Sequence, residues 1–304
     1  MGTTICFDDY GDSSVLRVRE EETPPVNAGE VRVSYRAIAV NPADWKIVSG
    51  YARDFLPLQL PAVPGNESAG VVTAVAPDVT GFAVGDEVIR VGLGNSYRAE
   101  ANVPAAELLS KPADIDFEQA ASLAVAGCSA YAGLERIALQ AGETLLVHGG
   151  AGGVGIAVTQ IATHLGAKVI STASAHNHEF VAGLGATPVT YGPGLVDEVR
   201  ALGGVDAVFD AHGGAGCVAA TPALLSDLTR ATTAAQDEHS AAAGIAHVGA
   251  SMADMGRLMA AVTDLAREGV VRFPVQERIP LAEAARAFDI SRAGHVRGKL
   301  VLVP

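Results

Sequence analysis

Thr144-Leu-Leu-Val-His-Gly-Gly-Ala-Gly-Gly-Val-Gly155 decides how this chain folds. Leu145, Leu146 and Val147 suit a strand buried on both faces; after the glycines Val154, Val158, Ile161, Ala162 and Leu165 recur at helical spacing. The change of period marks a strand, a turn and a helix. Gly149, Gly152 and Gly155 recur every third residue, which permits a tight turn, close approach of a ligand to the backbone and close packing of helix on strand. The unpaired N–H groups and positive dipole end at the start of such a helix favour a pyrophosphate, so Gly149, Gly152, Gly153, Val154 and Gly155 are candidate dinucleotide contacts.

Dinucleotide sites of this kind usually carry an acidic residue about 20 positions further on, which accepts hydrogen bonds from ribose hydroxyls. Here no Asp or Glu occurs between Gly155 and Glu179, and the next expected strand runs into Ala173-Ser-Ala-His-Asn-His178. A carboxylate would repel a 2′-phosphate, whereas Ser174, His176 and Asn177 can donate to it. NADPH is therefore favoured over NADH, the alternative being that these are ordinary polar loop residues.

The 304 residues are 49% hydrophobic and 18% charged, a globular composition long enough for one large domain or two ordinary ones. With aromatics at 5%, Ala, Val, Leu and Ile must fill the core, which suits parallel strands covered by helices. The net charge of −13, without a basic run, argues against nucleic acid and anionic membranes as partners. The opening residues carry no signal-peptide pattern and no stretch of about 20 apolar residues occurs, so a soluble, cytoplasmic chain without a membrane span is expected. Cys6, Cys128 and Cys217 stand apart and read as small core residues, although Cys128 could lie near the cofactor by its position.

Toward the N-terminus, Val31, Val33, Tyr35, Ala37 and Ala39 alternate with Arg32, Ser34 and Arg36, predicting a half-buried strand; Ala69 to Ala76 and Glu87 to Val91 add others, as in a small closed barrel. Two polar loops, Asn41 to Tyr51 and Pro61 to Gly70, are the expected active site. Within them Trp45 also reads as a core plug, Asp44 with Lys46 as a solvated pair, and Tyr51 as a surface residue. After Lys111-Pro112 the pattern turns helical, with strands expected at about 168–173, 187–191, 205–211 and 244–249 and a helix from Asp254 to Arg267. A helix from about Leu281 to Ser291 and a strand from Lys299 to Val303 follow, and their pairing needs make the first domain discontinuous. The expected division is a catalytic domain of residues 1–115 with 271–304 and a dinucleotide domain of residues 116–270.

Asn41-Pro-Ala-Asp-Trp-Lys46, Pro64-Gly-Asn-Glu-Ser-Ala-Gly-Val-Val72, Gly81-Phe-Ala-Val-Gly-Asp-Glu-Val88, His148-Gly-Gly-Ala-Gly-Gly-Val-Gly155 and Gly294-His-Val-Arg-Gly-Lys-Leu-Val-Leu302 occur in the order that resembles the medium-chain dehydrogenase/reductases. The nearest branch is similar to the zinc-free, NADPH-dependent quinone oxidoreductases and enone reductases. The resemblance implies an α/β architecture, a GroES-like barrel catalytic domain plus a Rossmann doubly wound parallel-sheet domain, and a homodimer. Zinc-bearing members have a Cys in the loop that here reads Val40-Asn41-Pro42, a His before Glu in the loop that here reads Gly65-Asn66-Glu67, and a later cysteine-rich lobe. Lacking these, the sequence predicts no metal site, and His176 with His178 reads as solvated.

The same resemblance implies Asn41 beside the nicotinamide, Tyr51 as a substrate-facing hydroxyl, Ser129 near the nicotinamide or phosphates and Tyr191 at the adenosine phosphate. Arg297 and Lys299 match a C-terminal pattern whose basic residues approach the cofactor, a strand-end surface role being the alternative. Some relatives carry a tyrosine where Lys46 stands, which leaves the part of Lys46 and the proton source open. Oxidising a simple alcohol needs a Lewis acid to stabilise a strongly basic alkoxide, whereas a quinone or α,β-unsaturated carbonyl already presents an electron-poor carbon. The expected function is hydride transfer from NADPH to such a small-molecule electrophilic acceptor, oriented by Asn41 and Tyr51. Two alternatives stay open: an enoyl-thioester reductase in which Tyr51 is the acid, and a non-catalytic NADPH-binding sensor or structural protein. The place of residues 236–240, in the cleft or on the surface, is also open.

Overall fold

In the computed structural model, which describes every residue except 55, 236 and 249–253, the strand Glu30–Val40 organises the first of two units. That unit comprises Met1–Val125 and Pro274–Pro304; the second comprises Ala126–Phe273. The strand alternates as its sequence predicts up to Ala37, and then Ile38 and Val40 are buried as well. Along that end the C-terminal strand Lys299–Val303 pairs antiparallel with it, Leu300 opposite Val40 and Leu302 opposite Ile38. Glu30–Val40 also pairs with Glu100–Pro104 and with Glu67–Val75. Gly70 is required at the last crossing, because a Cβ there would run into the Ser34 carbonyl oxygen.

Seven strands make up this sheet, and its outermost members on the path, Val275–Pro280 and Leu108–Ser110, are not paired with each other. The expected closed barrel is thus barrel-like but open in its hydrogen bonding. Ile5, Phe7, Tyr35, Ile38, Tyr97, Phe288, Leu300 and Leu302 share one core, so residues from both chain ends fill it. The helix Phe117–Ser122 packs on Glu30–Val40 and Glu67–Val75, which is why the first boundary falls at 125 rather than at the expected 115.

Among the described residues the second unit holds six parallel strands in the order Ala186–Val189, Lys168–Thr172, Thr144–His148, Ala207–Asp210, Ala231–Thr233, Ala246–His247. The chain moves outward on one side of Thr144–His148 and resumes on the other. In such a sheet that reversal opens a crevice beyond the carboxyl ends of the strands, where ligands bind. Ala231–Thr233, only three residues long, is too short to show a period and escaped the sequence reading. The strand expected at 244–249 is confined to Ala246–His247, with residue 249 lying outside the described residues. Met255–Arg267 is the expected helix, with Asp254 as its N-cap residue. Among the described residues no helix is long and apolar enough to cross a membrane.

Candidate active site

In the second unit, Thr144–His148 leads into Gly149, whose φ of 77° favours glycine. Gly149 N donates to Thr172 Oγ1 at 3.0 Å and Gly150 N to the Thr172 carbonyl at 3.0 Å, which ties the turn to the neighbouring strand. A Cβ at Gly150 would run into Ser171 Oγ, and one at Gly155 into the Gly149 carbonyl oxygen. Gly150 was not singled out by the three-residue spacing; its need comes from a strand 20 residues on, which the local sequence cannot show. Gly152 is the N-cap of Gly153–His164 and supplies no side-chain cap, so the first amides of the helix lie behind a glycine-lined surface. This cradle fits a diphosphate.

Ser174, His176 and Asn177 meet in the turn after Lys168–Thr172. Ser174 Oγ lies 3.3 Å from His176 Nε2 and accepts from Asn177 Nδ2 at 3.2 Å. His176 and Tyr191 are exposed, Asn177 is buried, and Ser129 is half-buried on Ala124–Arg136. His178 is half-buried, and its Nε2 lies 3.2 Å from the Ala173 carbonyl oxygen. Of residues 236–240, residue 236 lies outside the described residues; Asp237 caps Glu238–Ala242 and accepts from Gly214 N at 2.8 Å.

A buried polar cluster occupies the first unit. Asn41 Nδ2 donates to Glu67 Oε1 at 2.8 Å, and Lys299 Nζ bridges Glu67 Oε1 and Asn41 Oδ1 at 2.7 Å each. Val125 N donates to Glu67 Oε2 at 2.7 Å. Glu67 is fully buried, and Asn41 and Lys299 nearly so. Lys299 is therefore a buried counterion inside the first unit rather than a strand-end surface residue. Arg297 is half-buried, and its backbone N donates to Gln276 Oε1 at 2.7 Å.

Asp44 belongs to the same cluster. It accepts from Asn41 N at 2.8 Å, from Tyr97 OH at 3.0 Å and from Asn66 Nδ2 at 2.8 Å. Burial pushes its carboxyl up to about 7 against the pull of the Asn41 N–H and the Tyr97 hydroxyl. The expected solvated pair with Lys46 is overturned: Asp44 turns inward, and Lys46 Nζ sits 5.8 Å from the ring centres of both Trp45 and Tyr51. Tyr51 is half exposed, and Trp45 packs against the core.

Asn66, Glu67 and Tyr97 were not singled out by the sequence reading. The available signals were Glu67, an acidic residue opening a mostly apolar strand, and the comparison of Gly65-Asn66-Glu67 with zinc-bearing members. Asn41 and Asn66 stand where zinc-bearing relatives place thiolate and imidazole, and both carboxamides already hydrogen-bond to protein carboxylates. That donor set does not fit a zinc ion. Among the described residues no group of three or more His, Cys, Asp or Glu is placed to hold a metal.

A barrel-like unit assembled from both chain ends, with a doubly wound sheet carrying a glycine cradle, defines a protein of dehydrogenase architecture. The family described as alcohol dehydrogenase GroES-like domain matches residues 27–113, and that described as zinc-binding dehydrogenase matches residues 184–302. A mycobacterial protein solved in complex with NADPH is 31% identical, with a TM-score of 0.86 over 99% of this chain and 100% of its own. A chloroplast envelope quinone oxidoreductase homolog of Arabidopsis thaliana is 35% identical over 60% of this chain. The human mitochondrial enoyl-[acyl-carrier-protein] reductase is 38% identical over 55% of it. The matched stretches span 59% and 45% of those two relatives. The chain belongs to the medium-chain dehydrogenase/reductase superfamily, in the quinone oxidoreductase branch.

Proposed function

We propose that the chain binds NADPH and reduces small electrophilic carbonyl acceptors, quinones or α,β-unsaturated carbonyls, without a metal ion. The observation that carries this reading is the pair of carboxamides, Asn41 and Asn66, bonded to Glu67 and Asp44 at the two positions where a zinc site would need thiolate and imidazole. Without a Lewis acid an alkoxide is poorly stabilised, whereas the anion left by an electron-poor acceptor is far less basic and needs only hydrogen-bond donors. The NADPH-bound mycobacterial relative and the chloroplast quinone oxidoreductase homolog support the same reading.

Bound NADPH supplies a hydride from its nicotinamide ring. The amides of Gly153, Val154 and Gly155, opened by the Gly149–Gly152 turn, hold its diphosphate, and Ser174, His176, Asn177 and Tyr191 take the 2′-phosphate, with no carboxylate at the end of Lys168–Thr172 to oppose it. Ser129 supplies a further hydroxyl on Ala124–Arg136, and the half-exposed Tyr51 is available to the acceptor. Asn41 holds its loop through Glu67 and Lys299, while Lys46 steadies Tyr51 across its ring. A cytoplasmic homodimer completes the reading, the dimer resting on the family resemblance.

Similarity to the mitochondrial enoyl reductase favours a second reading, reduction of enoyl thioesters with Tyr51 as the acid. A matrix of initial rates, NADPH and NADH against quinones, enones and crotonyl thioester, tests both. Turnover confined to simple alcohols, or strict use of NADH, would refute the first reading. Crotonyl thioester reduction lost in Tyr51→Phe would establish the second.

A further inference from the structure

We infer that the side-chain amide of Asn66 donates the hydrogen bond to the carbonyl oxygen of the acceptor, in a cavity of the first unit; the inference rests on reading the chain as an enone or quinone reductase. The cavity holds about 300 Å³ and is walled by Phe7, Ile47, Leu58, Val63 and Leu93, with Asp44 and Asn66 among its polar lining. Apolar walls with a few fixed polar groups are the usual composition of a small-molecule site, and this volume lies at the small end of such sites. It suits a single ring or a short chain conjugated to one carbonyl.

Asn66 cannot turn over in this setting. Its Oδ1 accepts from Gly94 N at 3.0 Å, and its Nδ2 donates to Asp44 Oδ1 at 2.8 Å. A flipped amide would set its N–H against the Gly94 N–H and give up the acceptor that Gly94 now has. The Gly94 loop is itself braced by Arg90, which is almost fully buried and bonds the Gly94 carbonyl, Ser96 Oγ at 2.8 Å and Glu107 Oε2 at 2.7 Å. A carboxamide nitrogen carries two hydrogens, and the described bonds of Asn66 use one. The other is left on a half-buried, oriented side chain that lines the cavity.

A fixed, preoriented donor is the kind of group that stabilises charge developing on oxygen. When hydride adds to the β-carbon of an enone, the C=C electron pair shifts toward the carbonyl oxygen, where Asn66 meets the charge. Water would then protonate the α-carbon and be left as hydroxide, the two electrons having been supplied by the bound nicotinamide cofactor.

The test uses cyclohex-2-enone as substrate and ¹³C=O-labelled cyclohexanone as an unreactive ligand, both with the NADP(H)-loaded protein. Asn66→Ala should lower kcat by about 100-fold with KM changed less, and Asn66→Ser, which keeps a donor, should recover part of that loss. The infrared carbonyl stretch of the bound ketone should lie lower in the wild type than in Asn66→Ala. Unchanged kcat together with an unchanged stretch overturns the assignment while leaving the reductase reading intact. A shifted stretch in a wild-type protein that reduces neither enones nor quinones sinks the reductase reading and leaves the carbonyl site standing. Should Asn66→Ala not fold, the wild-type side-chain NH₂ signals decide: cyclohexanone should move one Asn66 amide proton more than its twin, and no movement of either refutes the site.

Discussion

Lys299 Nζ lies 2.7 Å from Glu67 Oε1, in an ion pair that joins residues 232 apart and leaves both side chains buried. The pair ties the C-terminal strand to the start of Glu67–Val75. Removing one partner of a buried ion pair strands the other charge and typically costs about 3–5 kcal/mol. Lys299→Met should lower stability by an amount in that range, read as a shift in the urea unfolding midpoint. The double variant Lys299→Met with Glu67→Gln, which removes the stranded charge and keeps an acceptor for Val125 N, should recover part of the loss.

Asp44 carries a pH signature with a definite sign. Its carboxyl ionises near 7 in the folded protein against an ordinary 3.8, so between those values the folded state holds a proton that the unfolded state has released. Stability from this group is complete below about 3.8, declines as pH rises toward about 7 and is level above it. At about 1.4 kcal/mol per unit the decline amounts to a few kcal/mol. Urea titrations from pH 4 to pH 8 on wild type and Asp44→Asn should show the variant gaining relative to wild type as pH rises; parallel profiles would contradict the buried acid.

The division of the chain into a barrel-like unit and a doubly wound unit was legible because its signals are local: the change of period at Gly149, the alternation from Val31 to Ala37, and the apolar strand at Lys299–Val303. The candidate site was legible only in outline. Asp44 beside Lys46 reads as a surface pair in a linear sequence, yet its partners are Tyr97, 53 residues away, and Asn66, 22 residues away. Lys299 reads as a free cation for the same reason, since Glu67 lies 232 residues off in sequence. Spacing within one segment cannot show a carboxylate supplied by another, and buried polar clusters are built from such distant contributions.

The glycines of the cradle should separate by experiment. A Cβ at Gly155 meets the Gly149 carbonyl oxygen and Gly150 Cα, whereas one at Gly152 has nothing nearer than the Gly149 carbonyl oxygen at 3.5 Å. Gly155→Ala should therefore lower the melting temperature and abolish NADPH binding together. Gly152→Ala should leave melting within a few degrees, since a surface substitution without steric conflict stays within about 0.5 kcal/mol. Any effect of Gly152→Ala should appear in the NADPH dissociation constant alone, measured by nicotinamide fluorescence.

Cofactor choice should be reversible at one position. Ser174 ends the segment after Lys168–Thr172 and lies within hydrogen-bonding distance of both His176 and Asn177, so it gathers the donors assigned to the 2′-phosphate. Ser174→Asp replaces a hydroxyl by a carboxylate at the place where related sheets bind ribose hydroxyls. The new charge repels the phosphate, and a lost hydrogen bond to a charged group is worth about 1.5–3 kcal/mol, so NADPH should bind at least tenfold more weakly. NADH should bind as well as to the wild type or better. Dissociation constants for both nucleotides, at low and at moderate salt, check this: the NADPH penalty should shrink as salt screens the repulsion, and an equal weakening of both nucleotides would place the 2′-phosphate elsewhere.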